Sequence, residues 1–103
     1  MGIYESQTYR NLTEDEIFGK VSGEGDMPRR VIERPGSVYD CHRNSFDLVL
    51  AFLRGSAEIR VGDQVYHCVA GDKLNIPGCL PHSAVVGTKG VVYYMTQVVS
   101  SAD

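Results

Sequence analysis

The sequence predicts an all-β protein, and three features of the chain beyond its first 26 residues support this assignment. From residue 27 onward, short segments of alternating apolar and polar residues are separated by glycine, proline or aspartate. Gly62 and Asp63 lie between two such segments and form a signal for a two-residue hairpin turn. The junctions recur at short, even intervals and nearly all contain glycine, which is typical of a sandwich or barrel of short strands.

The predicted elements follow one another with little linker between them. Thr13 stands three residues before Glu16, and this capping box predicts one or two helical turns over residues 13–19. The glycine-rich, acidic residues 21–26 predict a loop. Strands are predicted over residues 29–34, 37–44, 46–53, 57–61, 64–69, 73–76, 82–86 and 91–99. We therefore divide the chain into an N-terminal arm, residues 1–26, and a single β domain, residues 27–103.

Composition limits the classes of partner. A chain of 103 residues can form one domain with its own core, and no apolar run approaches the length of a membrane span. The net charge is -3 and the basic residues are scattered, so we expect no nucleic-acid partner and no membrane partner. Cys41, Cys68 and Cys79 are odd in number and lack CxxC spacing, which favours free thiols and a cytoplasmic location. Cys41 and Cys68 are expected to be buried.

One strand segment is apolar on both of its faces. Residues 48–53 read LVLAFL, so side chains at both strand parities require cover. One parity can face the core of the domain. The other parity, with Val49, Ala51 and Leu53, needs a second sheet or a second subunit. We therefore predict a homodimer, and a sandwich that buries both faces within one chain is the alternative.

A second segment, residues 71–82, ends in a constrained histidine. It reads GDKLNIPGCLPH, in which Pro77 and Pro81 restrict the backbone before His82. A histidine held in this way suits a binding or ligand role, and a hydrogen-bonded or exposed histidine at a strand start is the alternative. His67 lies at the opposite strand parity from Cys68 and is expected at the surface.

Two stretches together resemble the two motifs of the cupin family of small β-barrels. The first motif has the form G-x5-H-x-H-x3-4-E-x6-G. Gly36, His42 and Gly55 match it, whereas Asn44 replaces its second histidine and Leu48 replaces its glutamate.

The second motif has the form G-x5-P-x-G-x2-H-x3-N. Gly71, Pro77 and His82 match it, whereas Cys79 and Val86 stand at its glycine and asparagine positions. The resemblance covers residues 29–99. It implies a double-stranded β-helix, or jelly-roll barrel, preceded here by a short irregular or helical N-terminal segment.

The resemblance also implies a possible metal site. Cupins that do metal chemistry hold iron, manganese, nickel or zinc with three histidines and a glutamate, and this chain retains only His42 and His82. Two imidazoles seldom hold a divalent metal, so we expect no cofactor. If a metal binds, strand alternation places Asp40 on the face of His42, and Asp40 is then the expected third ligand. Asp47 and Cys79 are further alternatives.

The functional prediction is a small-molecule-binding cupin with a degenerate metal site, acting as a sensor or carrier. By resemblance and strand parity its pocket contains His42, Asn44, His82, Leu48 and Phe52, and the six tyrosines of the chain can supply aromatic walls and hydroxyl donors. The alternative is a metal-dependent enzyme, a dioxygenase or isomerase with a two-histidine-one-carboxylate site. The expected partners are a small-molecule ligand and a second copy of the chain.

Overall fold

Residues 2–98 are described by a computed structural model, and within that range the chain forms seven strands and one helix. The elements in chain order are β1 (Tyr4–Glu5), α1 (Glu14–Ser22), β2 (Arg29–Glu33), β3 (Val38–His42), β4 (Asp47–Val61), β5 (Gln64–Val69), β6 (Lys73–Ile76) and β7 (His82–Val98). The all-β prediction is confirmed, and the predicted bounds of β5 and β6 agree with the structure. Residue 99, the predicted end of the last strand, lies outside the described residues.

The two longest strands, β4 and β7, form the centre of an open sheet. They pair antiparallel along most of their length. The first half of β4 also pairs with β6, and its second half with β5. The first half of β7 pairs with β3, and its second half with β2. β1 pairs with β6 at one edge. The main hydrophobic core gathers residues from both halves of β4 and β7, so the sheet folds over onto itself without closing.

Two glycines allow the central strands to bend. Gly55 and Gly90 have positive φ angles of 74° and 78°, and a Cβ on Gly55 would collide with the Gly90 backbone. The pairing of β4 with β7 shifts register on both sides of this point, as expected at β-bulges. The predicted breaks at residues 54–56 and 87–90 are therefore wrong. These glycines mark bends inside continuous strands, because a positive φ turns the chain without ending the hydrogen-bonded ladder.

The predicted capping box is present at the start of α1. The Thr13 hydroxyl accepts the Glu16 N–H at 3.1 Å, and the Glu16 carboxylate accepts the Thr13 N–H at 2.8 Å. The helix continues to Ser22 because Val21 is fully buried, so the first residues of the predicted loop are helical. No described helix is long and apolar enough to span a bilayer.

The N-terminal arm covers the second apolar face of β4. Tyr9, Ile17 and Val21 form a second hydrophobic cluster with Ala51 and Tyr94. We call the three arm residues, Tyr9, Ile17 and Val21, the arm cluster. The cover that the sequence required for Ala51 is thus supplied by the chain itself, because the arm returns across the outside of the sheet. The homodimer stays a prediction, but its stated physical reason is met within one chain.

A buried carboxylate fastens the arm to the sheet. Asp72 is 0% exposed and accepts four hydrogen bonds, from the Tyr4 hydroxyl at 2.8 Å, the Gln7 N–H at 2.9 Å, the Gln7 side-chain amide at 2.8 Å and the Val69 N–H at 2.9 Å. Burial by itself would raise the pKa of Asp72, but these hydrogen bonds outweigh it and the pKa is lowered. The carboxylate therefore stabilises the arm in its charged form.

Candidate ligand-binding site

A cavity of about 150 Å³ lies between the two halves of the folded-over sheet. Its walls are mainly aliphatic and aromatic side chains from both halves of β4 and β7, and its polar groups come from β2, β3 and β7. The lining residues are Glu33, Tyr39, His42, Leu48, Leu50, Phe52, Ala57, Ile59, Ile76, His82, Ala84, Val86, Val91, Tyr93 and Met95. Apolar walls with a few converging polar groups are typical of small-molecule sites.

The two predicted histidines meet in this cavity. His42 at the end of β3 pairs directly with His82 at the start of β7, and their ring centroids are 4.2 Å apart at an interplanar angle of 62°. His82 is only 7% exposed, whereas His42 is exposed. The cavity thus has one imidazole in its wall and one at its open side.

In both imidazoles, Nδ1 contacts the backbone carbonyl oxygen two residues earlier in the chain. His42 Nδ1 lies 3.1 Å from the Asp40 carbonyl oxygen, and His82 Nδ1 lies 3.3 Å from the Leu80 carbonyl oxygen. Since a carbonyl only accepts, each Nδ1 donates, and in the neutral ring Nε2 is left as an acceptor. Burial lowers the pKa of His82, and the neighbouring His42 lowers it further. At neutral pH His82 therefore offers a lone pair.

A carboxylate and two tyrosines form the other polar group of the cavity. Glu33 Oε1 accepts a hydrogen bond from the Tyr39 hydroxyl, and Glu33 Oε2 accepts one from the Tyr93 hydroxyl at 3.1 Å. Burial raises the pKa of Tyr93, and the charge of Glu33 raises it further, so Tyr93 remains a neutral donor. The Tyr93 ring also lies against Phe52, with centroids 5.7 Å apart.

The predicted position of Asp40 in the pocket is wrong. A register shift between Tyr39 and His42 interrupts the alternation of β3, and it places these two residues, three apart, on the cavity. Asp40 is exposed and does not line the cavity. Within residues 2–98, no group of three or more histidine, cysteine, aspartate or glutamate side chains is arranged to hold a metal ion.

Three other candidates also lie away from the cavity. Asn44, predicted in the pocket, is in the loop after β3, where its carbonyl accepts the Cys79 N–H at 2.6 Å. Cys79 is exposed, with a positive φ of 66°. The Asp47 side chain accepts the Gly78 N–H at 2.6 Å and borders a separate hollow of about 430 Å³ on the other side of β4. These residues shape the loops beside the cavity.

Some of the remaining predictions of residue position are confirmed and one is wrong. Leu48 and Phe52 lie in the cavity wall as predicted, although their role in binding stays a prediction. Cys68 is buried and His67 is exposed, as predicted. The predicted burial of Cys41 is wrong, because β3 is exposed along its whole length.

Glu33 and Tyr93 were not identified from sequence. In β2 the half-buried residues are Val31 and Glu33, whereas Ile32 is 68% exposed. Because Val31 and Ile32 are apolar at opposite parities, the pattern does not decide which face is buried, and the structure half-buries the face of Val31 and Glu33. The signal available in the sequence was a general one, namely the number of tyrosines, and it did not say which of them face the cavity.

Comparison with solved structures decides the fold. A Streptococcus pyogenes protein of unknown function, SPY1581, superposes with a TM-score of 0.59 at 23% identity, over 67% of this chain and 60% of that one. The cupin domain of Schizosaccharomyces pombe Cnp3 gives 0.65 at 16% identity, over 70% of this chain and 54% of that one. An RmlC-like cupin from Shewanella frigidimarina gives 0.63 at 20% identity, over 73% and 68%. This chain has the cupin fold.

These similarities concern the fold alone. The matched region spans less than two thirds of the Streptococcus and Schizosaccharomyces chains. Other neighbours include enzymes, among them Bacillus subtilis oxalate decarboxylase, which has Mn(II) centres, and the Escherichia coli ribosomal oxygenase YcfD. No protein-family model and no curated protein sequence matches this chain.

The residues present do not fit the metal set that the cupin resemblance implies. Of the four ligand positions in that set, His42 and His82 are retained, Asn44 lies outside the cavity, and Leu48 has no donor atom. Divalent metals are held through the number and charge of their ligands, and two neutral imidazoles supply neither a third ligand nor a negative charge.

Proposed function

We propose that this cupin domain binds a small organic molecule in the cavity of β4 and β7, as a sensor or carrier. The observation that carries the proposal is the cavity of about 150 Å³ with apolar walls and the paired imidazoles of His42 and His82 at one side. An engineered apolar cavity of about this volume binds benzene, so the apolar body of the ligand should be about the size of one ring. The imidazoles would fix its orientation.

The proposal is tested by titration with three single-ring compounds, benzylamine, benzyl alcohol and benzoate. Binding is followed by isothermal calorimetry and by the ligand-induced rise in melting temperature, because a ligand that binds only the folded state stabilises it. We expect at least one compound to bind wild type and to bind at least about tenfold more weakly to the His42→Ala, His82→Ala double variant. Binding by none of the three, or equal binding by the double variant, would overturn the proposal.

The alternative, a metal-dependent dioxygenase or isomerase, needs Asp40 beside the two histidines. The register shift in β3 places Tyr39 on the cavity instead, which disfavours it. Elemental analysis of untagged wild type and of the same double variant tests this alternative independently of any substrate. Near-stoichiometric metal that is lost in the variant would favour the enzyme.

A further inference from the structure

Strand β2 has an apolar residue on each face: Val31 and Glu33 share the half-buried face, and Ile32 lies on the other. Ile32 is 68% exposed, while its neighbour Glu33 is half-buried and lines the cavity. Exchanging these two would bury an isoleucine and expose a carboxylate, both of which favour folding. Sequences that depart from the more stable arrangement in this way commonly do so at functional sites. Glu33 is therefore a candidate for ligand recognition.

The cavity has a negative formal charge. Among the described residues that line it, Glu33 is the only carboxylate, and there is no lysine or arginine. The remaining polar atoms on offer are imidazole lone pairs and tyrosine hydroxyls. A ligand carboxylate would thus meet a like charge with no lysine or arginine to pair with, whereas a ligand cation would meet an opposite charge.

Glu33 is held in place but retains acceptor capacity. Tyr39 and Tyr93 each donate to a different carboxylate oxygen. A carboxylate has about four lone-pair positions, so about two remain for a ligand donor. The rings of Tyr93 and Phe52 also line the cavity, and aromatic faces attract cations within about 6 Å.

We propose that the ligand is a small organic cation, a protonated amine with a compact apolar body, and that Glu33 recognises its charge while Tyr39 and Tyr93 position the carboxylate. This inference rests on the proposed function, because it assigns a ligand class to the same cavity. Glu33, Tyr39 and Tyr93 are then the residues that determine specificity, and the apolar wall sets the size of the ligand.

The test uses the same three ring compounds at pH 7, which share a benzyl or phenyl body and differ in charge. We expect wild type to bind benzylamine at least about tenfold more tightly than benzoate, with benzyl alcohol between them. In Glu33→Gln, benzylamine affinity should fall at least about tenfold, while benzyl alcohol affinity should change less than about twofold. The wild-type ranking needs no variant, so the test survives if Glu33→Gln does not fold.

Glu58→Gln is the matched control. It removes the same charge from an exposed position in the second half of β4, outside the cavity lining, and should leave benzylamine affinity unchanged. Benzoate binding as tightly as benzylamine, or equal benzylamine binding by wild type and Glu33→Gln, overturns the inference but leaves small-molecule binding standing. An equal loss in Glu58→Gln would also overturn it, because a general field effect would then suffice. Binding of none of the compounds overturns both proposals.

Discussion

The two faces of β4 differ in what their side chains contact. On its outer face Ala51 is 0% exposed and packs under the arm cluster, with Tyr9 and Val21 above it. On its inner face Leu50 and Phe52 are also buried, yet they border a cavity. The same strand therefore has an outer side chain, Ala51, that is covered by its own chain and inner side chains, Leu50 and Phe52, that border the cavity.

The carboxylates beside these faces differ in the same way. Asp72, under the arm, accepts four hydrogen bonds from the protein, and its acceptor capacity is used within the fold. Glu33, in the cavity, accepts two and has capacity left. A carboxylate whose bonds are all internal stabilises the structure, whereas one held with spare acceptors can also bind. This comparison predicts that variants of the two faces separate stability from binding.

The largest effect is expected from Asp72→Ala. It leaves the donors of Gln7, Val69 and Tyr4 without an acceptor, and we expect the free energy of unfolding to fall by about 3 kcal/mol or more in urea denaturation. Benzylamine affinity of the folded protein should be unchanged. A loss below about 1 kcal/mol would show that the arm is not fastened by this residue.

Asp72→Asn refines this prediction through pH. Because the folded-state pKa lies below the ordinary 3.8, the stability that the charged carboxylate contributes is fully present above pH 3.8 and is lost as pH falls through the folded-state pKa. Wild type should therefore lose stability more steeply than Asp72→Asn in this acid range. Parallel stability curves for the two proteins would contradict the assigned role of the charge.

The next largest effect is expected when one side chain on each face of β4 is enlarged. Ala51→Leu adds volume where the arm cluster leaves none, and should cost about 1–3 kcal/mol. Leu50→Phe adds volume into the cavity, should cost less than about 1.5 kcal/mol, and should abolish benzylamine binding. Equal costs in urea denaturation, or retained binding by Leu50→Phe, would remove the distinction between the faces.

A smaller change in stability is expected when His82 is protonated at low pH. Its folded-state pKa lies below the ordinary 6.5, so the unfolded chain takes up the proton first. The neutral ring therefore makes its full contribution to the free energy of unfolding above pH 6.5, and this contribution declines as pH falls toward the folded-state pKa. For one proton the slope is at most about 1.4 kcal/mol per pH unit. Urea denaturation between pH 7 and 5 should show this decline in wild type and not in His82→Gln. The same decline in both would place the titration elsewhere.

The smallest change in stability is expected from the ion pair between the surface of the arm and β2. Arg30 Nε lies 3.1 Å from Glu14 Oε1, and both side chains are partly exposed, at 41% and 35%. Arg30→Gln should lower the free energy of unfolding by less than Ala51→Leu does, and 1 M NaCl should remove most of the difference from wild type. Arg60→Gln, on an exposed position of β4, is the control. A cost above that of Ala51→Leu would mean that charge, and not packing, holds the arm.

The sequence by itself determined the fold class, most strand positions, the helix cap and the two histidines. The first three follow from local rules, because alternation, turn residues and the capping box of Thr13 and Glu16 act over a few residues. The pairing of His42 with His82 was implied by the resemblance to the cupin motifs. Leu48 and Phe52 followed from strand parity because β4 is regular in that half.

The tertiary structure alone decided which other residues reach the cavity. One register shift in β3 brings Tyr39 to the edge of the cavity and leaves Asp40 away from it, because a single added residue reverses the parity of the strand before it. Glu33 lines the cavity from the face that it shares with Val31, and the hydroxyls of Tyr39 on β3 and Tyr93 on β7 donate to its carboxylate. The cover of Ala51 by the arm is also nonlocal. Contacts between residues far apart in sequence set these features, and no local pattern encodes them.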